Sequence, residues 1–251
     1  MKNREEFLDE GLRLGTWLSS GAPVVSEMAA QFSFDWFLLD LEHGSGSEEQ
    51  LLQSLRAMSE SPARLIVRVP GFLPEMIGRV LDWGADGIML PHVSSAQQAI
   101  DCVAAMRYPP VGWRGYSSTV RAYRYGLDSP ENPQEVKPLC FAQIEDVEGV
   151  RNVHDIAAVD GVDVLFVGPA DLKLALNHQP PEHAIDFEEA LRQVAAAAKV
   201  YGKKAGILLR DRHDFVNLLS IGYSCIAIDS DLGILRKGYQ GLMAWYKQVN
   251  V

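Results

Sequence analysis

A single-domain (β/α)8 barrel over residues 1–251 is the fold this sequence predicts. Three observations carry that expectation. Eight short apolar, β-rich runs alternate with helix-length segments or a long loop, in a chain of 251 residues, the usual length for such a barrel. The second run is apolar on both faces near its end, as strands buried in a parallel sheet are. No Gly-x-Gly-x-x-Gly turn follows the first run, which argues against a doubly wound sheet.

Taken in order, residues 14–18 read as the first strand and 24–31 as a short helix after Pro23. Residues 34–40 form the second strand. Ser47 and Gln50 then make a capping box for a helix to about residue 59. The third strand is 64–69, and the helix 75–83 is closed by Gly84. The fourth strand, 87–90, stops at Pro91, and Ser95 with Gln98 caps a helix to residue 106. Residues 108–138 break the pattern. They are rich in Pro, Gly, Tyr and Arg, and a long irregular stretch of that composition is an ordered, functional loop. Strand-like runs within 139–145 and 164–171, each stopping at a carboxylate, flank a helix-length segment at 149–158. A helix at 187–201 capped by Asp186 follows, then a strand at 205–209, a helix at 211–220, a strand at 224–228 and a last helix from 232 to the C-terminus.

Bulk properties narrow the partners. A formal net charge of -10 argues against nucleic acid or an anionic membrane. The first ten residues are polar with no apolar signal region, and no apolar run approaches the roughly 20 residues needed to span a bilayer. Cys102, Cys140 and Cys225 are far apart in apolar contexts, which suits reduced, buried thiols of a cytoplasmic protein.

Active sites of such barrels lie where the strands end. Here those ends carry Asp40, Glu42 and His43, then Arg68, Pro91 and His92, then Gln143 and Glu145, then Gly168 to Asp171, Arg210 and Asp229. Such charges are costly to bury unpaired, so they either form a rim of salt bridges or serve a ligand. Two apolar runs stop at Glu145 and Asp171. On adjacent parallel strands these carboxylates emerge together and repel unless a cation lies between them. Hard oxygen ligands favour Mg²⁺ or Mn²⁺. His43 can move a proton near neutral pH, and Arg68 can hold a carboxylate or a developing oxyanion. The turn Gly168-Pro169-Ala170-Asp171 opens a helix whose free N–H groups suit an anion. Together these describe an enzyme for a small anionic carbonyl compound.

The run Phe34-Asp35-Trp36-Phe37-Leu38-Leu39-Asp40-Leu41-Glu42-His43 resembles the strand-two motif of the HpcH/HpaI family of class II pyruvate aldolases. Residues 107–115, Gln143-Ile144-Glu145, residues 161–172 and residues 203–208 match it in the same order, so the resemblance covers nearly the whole chain. It implies a (β/α)8 barrel and reversible aldol cleavage of a 4-hydroxy-2-oxo acid, such as 4-hydroxy-2-oxoheptanedioate or a 2-dehydro-3-deoxy-aldarate, to pyruvate and an aldehyde. It also implies that Glu145 and Asp171 bind the metal, Mg²⁺ or Mn²⁺ with Co²⁺ a third candidate, which stabilises a pyruvate enolate. Arg68 then contacts the keto oxygen, His43 is the acid/base, and Asp82 is its dyad partner, reaching a neighbouring subunit's site. Gln143 lines the pyruvate pocket, and the N–H groups of Ala170 and Asp171 bind the carboxylate. The implied assembly is a hexamer, a dimer of trimers with exchanged C-terminal helices. Residues 232–245 are amphipathic enough for that, or for docking on their own barrel.

Other residues have plainer expectations. His92 reads as a packing residue, Asp40 and Glu42 as structural partners, and the Arg114 loop as structural and covering the site. Gly44-Ser45-Gly46, Val69-Pro70-Gly71-Phe72 and Lys173 depart from the common family pattern where the aldehyde half of the substrate would bind. Lys173 is either the partner of an anionic substrate tail or an exposed helix lysine. Two further functions stay open at this stage: a malyl- or citramalyl-CoA type lyase, and a non-catalytic barrel that binds a 2-oxo acid or a protein.

Overall fold

The computed structural model describes residues 4–180 and 184–249, the side chain of Arg212 excepted. Eight parallel strands close into a barrel in chain order, the eighth pairing with the first. They are β1 (Arg13–Leu18), β2 (Trp36–Asp40), β3 (Arg64–Arg68), β4 (Gly87–Leu90), β5 (Leu139–Ile144), β6 (Val164–Val167), β7 (Lys204–Leu209) and β8 (Tyr223–Ser230). Helix α1 (Arg4–Leu8) precedes the barrel, and α2 (Pro23–Ala29), α3 (Glu48–Ala57), α4 (Pro74–Asp82) and α5 (Ala96–Met106) follow the first four strands in turn. The pair α6 (Val147–Arg151) and α7 (Val153–Ala157) leads to β6, and α8 (Pro169–Leu176) with α9 (Phe187–Val200) leads to β7. Helix α10 (Phe215–Ser220) connects β7 to β8, and α11 (Asp231–Val249) ends the described chain. The single-domain barrel is therefore the observed architecture.

Alternation along each strand sorts the side chains. Trp36, Leu38, Ile66, Met89, Phe141 and Phe166 point inward and pack as one buried cluster, which Phe7 of α1 joins at the end where the strands begin. The rings of Trp36, Phe141 and Phe166 lie 5.5–6.3 Å apart. Burying each such side chain contributes about 1.5–3 kcal/mol. The alternate residues, among them Phe37, Leu39, Leu65, Val67, Leu165 and Val167, face the helices in a second, larger cluster. The same alternation places the site. Two residues beyond Leu38 is Asp40, beyond Ile66 is Arg68, beyond Phe141 is Gln143 and beyond Phe166 is Gly168. The inward stack thus turns from apolar to polar at the barrel mouth, where the strands end.

Local chemistry sets the element ends largely as expected. Both capping boxes, Ser47 with Gln50 and Ser95 with Gln98, are formed, and Asp186 accepts from the Glu189 N–H. The differences have identifiable causes. The segment at 149–158 is two helices, because Asn152 leaves helical geometry and its amide donates to the Ser94 carbonyl at 2.8 Å. Residues 212–214 form a 3₁₀ turn, so the helix there starts later than the sequence suggests. Helix α1 lies in the stretch read only as polar. Helix α11 reaches Val249, and the expected end of that helix at the C-terminus lies outside the described residues.

The long segment from Arg107 to Pro138 is ordered, with 3₁₀ turns at Arg121–Gly126 and Pro133–Glu135. The hydroxyls of Tyr108 and Tyr123 are 2.8 Å apart, and the Arg114 guanidinium stacks on Tyr108 at 4.7 Å. The expectation that this loop covers the site is not met within the chain. It joins the end of α5 to the start of β5, and Arg114 lines a cavity with Arg64, Leu65 and Leu139, all at strand starts. The loop therefore closes the rim opposite the mouth.

Candidate active site

Arg68 is the most constrained charge at the mouth. Its Nε and Nη2 donate to Asp40 Oδ1 and Oδ2 at 3.0 and 2.7 Å, a bidentate pair, and Nη1 lies 2.8 Å from Glu42 Oε2. Its guanidinium sits 5.1 Å from the Trp17 ring, and Trp17 Nε1 donates to Asp40 Oδ2 at 3.2 Å. The Asp40 carboxylate also accepts the N–H groups of Glu42 and His43 at 3.1 and 3.2 Å, folding the chain after β2 back over the mouth. Burial works to raise the Asp40 carboxyl, but the Arg68 hydrogen bonds and charge outweigh it and hold Asp40 below the ordinary carboxylate value. Asp40 and Glu42 are thus partners of Arg68, as expected.

Glu145 emerges beside this pair and is buried. Its Oε1 accepts the His92 N–H at 2.8 Å, and its Oε2 accepts Gln143 Nε2 at 2.5 Å. Burial, with Glu42 and Asp171 nearby, holds the Glu145 carboxyl above its ordinary value, although His92 pulls it down. His92 does not act as the packing residue the sequence suggests. Its side chain is 61% exposed and bridges two carboxylates, with Nδ1 3.2 Å from Glu145 and Nε2 3.4 Å from Glu42. The backbone there takes a left-handed φ of 53°, which turns the ring back toward Glu145. Glu42, His92 and Glu145 have ligand atoms within 4.8 Å of one another. Asp171, expected to share a metal with Glu145, stands in the first turn of α8 and lines the mouth cavity without joining that compact set.

This donor set fits a hard divalent cation. The Glu42 and Asp171 carboxylates each repel Glu145, and Gln143 Oε1 is buried without a hydrogen bond among the described residues. Gly168 completes the cradle, since a Cβ there would lie 2.2 Å from Glu145 Oε2. Glu145, Asp171, Glu42 and His92 are the residues able to hold such an ion.

The remaining expected residues divide by location. His43 is 66% exposed, with Nε2 3.9 Å from Glu42, and it lines the cavity. Ala170 and Asp171 occupy the first turn of α8, where N–H groups have no helical partner. Asp82 is elsewhere. It ends α4, which runs antiparallel to β3, and it accepts Arg114 Nη2 at 2.6 Å on the opposite rim. One chain does not bring Asp82 and His43 together. Gly44-Ser45-Gly46 has a steric cause: Ser45 N–H donates to the Ser19 carbonyl at 2.8 Å, and a Cβ on Gly46 would lie 2.8 Å from Gly21 Cα. Two mouth loops touch backbone to backbone there. Lys173 stacks on the Phe187 ring at 4.4 Å and is not among the residues lining the cavity.

The mouth cavity has a volume of about 380 Å³ and is lined by Trp17, His43, Arg68, Gln143, Gly168, Asp171 and Arg210 among others. Fold and mouth together define a (β/α)8 barrel with a carboxylate cluster beside the opening turn of a helix. The chain belongs to the HpcH/HpaI aldolase/citrate lyase family, whose model matches residues 13–237. It is 37% identical over 238 residues to a 5-keto-4-deoxy-D-glucarate aldolase of Klebsiella pneumoniae, covering 94% of this chain and 93% of the relative. A 5-keto-4-deoxy-D-glucarate aldolase of Escherichia fergusonii is 38% identical over the same shares. The crystal structure of an HpcH/HpaI aldolase/citrate lyase family protein from Burkholderia cenocepacia superposes with a TM-score of 0.88 at 33% identity, covering 98% of this chain and all of that one. The protein is a carbon–carbon lyase of the aldolase kind.

Proposed function

We propose that this chain catalyses divalent-metal-dependent, reversible aldol cleavage of a 4-hydroxy-2-oxo acid to pyruvate and an aldehyde. The substrate type is a 2-dehydro-3-deoxy-aldarate or 4-hydroxy-2-oxoheptanedioate. The observation that carries this reading is Arg68, fixed by Asp40, Glu42 and Trp17 beside the Glu145 cluster and the opening turn of α8. Relatives named for cleaving a keto-deoxy-glucarate support the same substrate class. A cavity of about 380 Å³ suits a small acid better than a CoA thioester.

In this reading Glu145 and Asp171 hold Mg²⁺ or Mn²⁺, with Co²⁺ a further candidate. A bound divalent cation supplies Lewis acidity to the 2-oxo group. The N–H groups of Ala170 and Asp171 receive the substrate carboxylate at the positive end of α8. Arg68 donates Nε–H and one Nη2–H to Asp40 and pairs electrostatically with Glu42, leaving other N–H groups of the guanidinium for the developing enolate oxygen. Gln143 lines the pyruvate end of the pocket. His43 takes the proton of the C4 hydroxyl in cleavage and returns it in condensation.

Asp82 of a second copy would orient His43. That arrangement accords with an Asp82 remote from the mouth of its own barrel. A hexamer, as a dimer of trimers with exchanged C-terminal helices, is the proposed assembly. The exposed Leu235, Tyr239, Leu242 and Trp245 on α11 support a covering subunit. Three buried free thiols support a cytoplasmic location.

Proton–deuterium exchange of the pyruvate methyl group, followed by NMR, tests this without knowledge of the aldehyde. Exchange is expected with Mn²⁺ or Mg²⁺, and not with chelator or in Glu145→Ala. Absence of exchange in protein that binds both metal and pyruvate overturns the proposal.

A further inference from the structure

We infer that Arg210 and Arg236 receive a second, distal carboxylate on the aldehyde half of the substrate, making the enzyme selective for dicarboxylic 2-oxo acids. This rests on the aldolase reading above and assigns its specificity to named residues.

The placement follows from the barrel. On β7 the inward positions are Gly206 and Leu208, the latter packed on the interior cluster. Arg210 is the next residue of that parity, so it rises from the inner wall at the mouth. Arg236 arrives from the other side, from the second turn of α11. Both line the cavity that holds Arg68, Asp171 and the opening turn of α8.

Their charges are unmatched. Arg68 is balanced by Asp40 and Glu42. Among the described residues neither the Arg210 nor the Arg236 side chain makes a hydrogen bond or ion pair. Asp229 feels Arg210 only as a longer-range attraction; its carboxylate is ion-paired with Lys237 and accepts the Ser230 N–H. Both are exposed at the mouth and line the same cavity, so each guanidinium is free to receive an anionic group that enters it. Arg68 and α8 already serve the carboxylate and keto group at the pyruvate end, so the anion for Arg210 and Arg236 belongs to the opposite end of the substrate. Lys173, the lysine singled out in the sequence for such a role, is engaged with Phe187 instead.

Matched six-carbon probes test this in the full-length, Mn²⁺-loaded protein. Binding of 2-oxoadipate and 2-oxohexanoate, which differ only in the distal carboxylate, is measured by titration calorimetry. The comparison covers wild type, Arg210→Gln, Arg236→Gln and the double variant. Wild type is expected to bind the diacid at least about tenfold tighter, the magnitude of one charge-assisted hydrogen bond. Each single variant should lose part of that preference and the double variant all of it. The inference is overturned if wild type shows no preference, if the double variant keeps it, or if affinities for both acids fall in parallel. Pyruvate methyl exchange in the wild type separates the two claims. Exchange without diacid preference removes only this inference, whereas no exchange removes the aldolase reading and this inference with it.

Discussion

Replacing Gly168 by Ala probes the metal cradle through a single methyl group. Gly168 has φ −87° and ψ 92°, a conformation open to any residue, so space rather than backbone freedom demands glycine there. The added Cβ would lie 2.2 Å from Glu145 Oε2, 2.7 Å from Gln143 Nε2 and 2.9 Å from Glu145 Cβ. Both side chains are buried, and both Glu145 oxygens are engaged. Glu145 must therefore turn and give up one of those bonds. Overpacking of this kind costs about 1–3 kcal/mol, which for a chain of this size lowers Tm by about 2–12 °C. Displacing a ligand carboxylate should weaken Mn²⁺ binding by about 10–100-fold, the range seen when groups that orient ligands are removed. Calorimetric Mn²⁺ titration and a thermal melt in chelator read the two effects separately. Gly78→Ala in α4, whose Cβ would meet nothing within 4 Å, is the contrast. It should stabilise by about 0.5–1 kcal/mol and leave Mn²⁺ affinity alone. Wild-type Mn²⁺ affinity in Gly168→Ala would refute the steric argument and the ligand role of Glu145 that it supports.

Asp40→Asn removes the charge that Arg68 grips from both sides and should destabilise the fold by about 3–5 kcal/mol in denaturant melts. Because Asp40 titrates low in the fold, its contribution is full above the unfolded value of about 3.9 and fades as pH falls through the lowered folded value. The wild-type advantage over Asp40→Asn should therefore be flat from pH 8 to 5 and shrink in stronger acid. Glu145 has the opposite sign. Its folded value is raised, so the proton it binds favours the folded state, and that contribution is lost as pH rises through the folded value. In chelator, the melting temperature of wild type relative to Glu145→Gln should rise as pH is lowered from 8 to 5; a constant difference would contradict the carboxylate repulsion. Leu242→Glu places a charge on the exposed apolar face of α11 and should lower the mass seen by sedimentation, whereas an unchanged mass would exclude that face as an interface.

Polar and charged residues that close apolar runs, Asp40, Arg68, Gln143 and Glu145, made much of the site legible in the sequence, and the alternation within the barrel explains why the first three face inward. Trp36 and Leu38 face inward, so Asp40 must as well, and the same step leads from Ile66 to Arg68 and from Phe141 to Gln143. Residues whose role depends on loop geometry were not legible in that way. His92 follows a strand and a proline, and only its left-handed backbone reveals that its ring turns toward Glu145. Asp231 could not be singled out, because it accepts the N–H groups of Ser19 and Ser20 across 212 and 211 residues of chain. Arg210 stands at the end of an apolar run and is visible in the sequence, but Arg236 lies on a helix whose placement over the mouth is a tertiary fact. Asp82 carried a family expectation that the geometry of a single chain cannot express.

The polar mouth is held up by an aromatic floor, and that arrangement sets its electrostatics. Trp17 packs on Phe166 at 5.6 Å, donates to Asp40, and lies under the Arg68 guanidinium. The floor excludes water from the inner side of the Asp40–Arg68 pair, so their attraction is stronger than at an open surface. Burial likewise raises Glu145, which faces Glu42 and Asp171 without an equivalent arginine. Burial therefore accompanies two opposite pKa shifts, according to whether a carboxylate has a fixed cation beside it. Asp40 has one and stays charged to anchor Arg68. Glu145 lacks one, a deficit that the divalent ion of the proposed function would make up. The division of labour arises from a two-residue step on β2 and β5, with hydrophobic packing below supplying the conditions under which each charge acts.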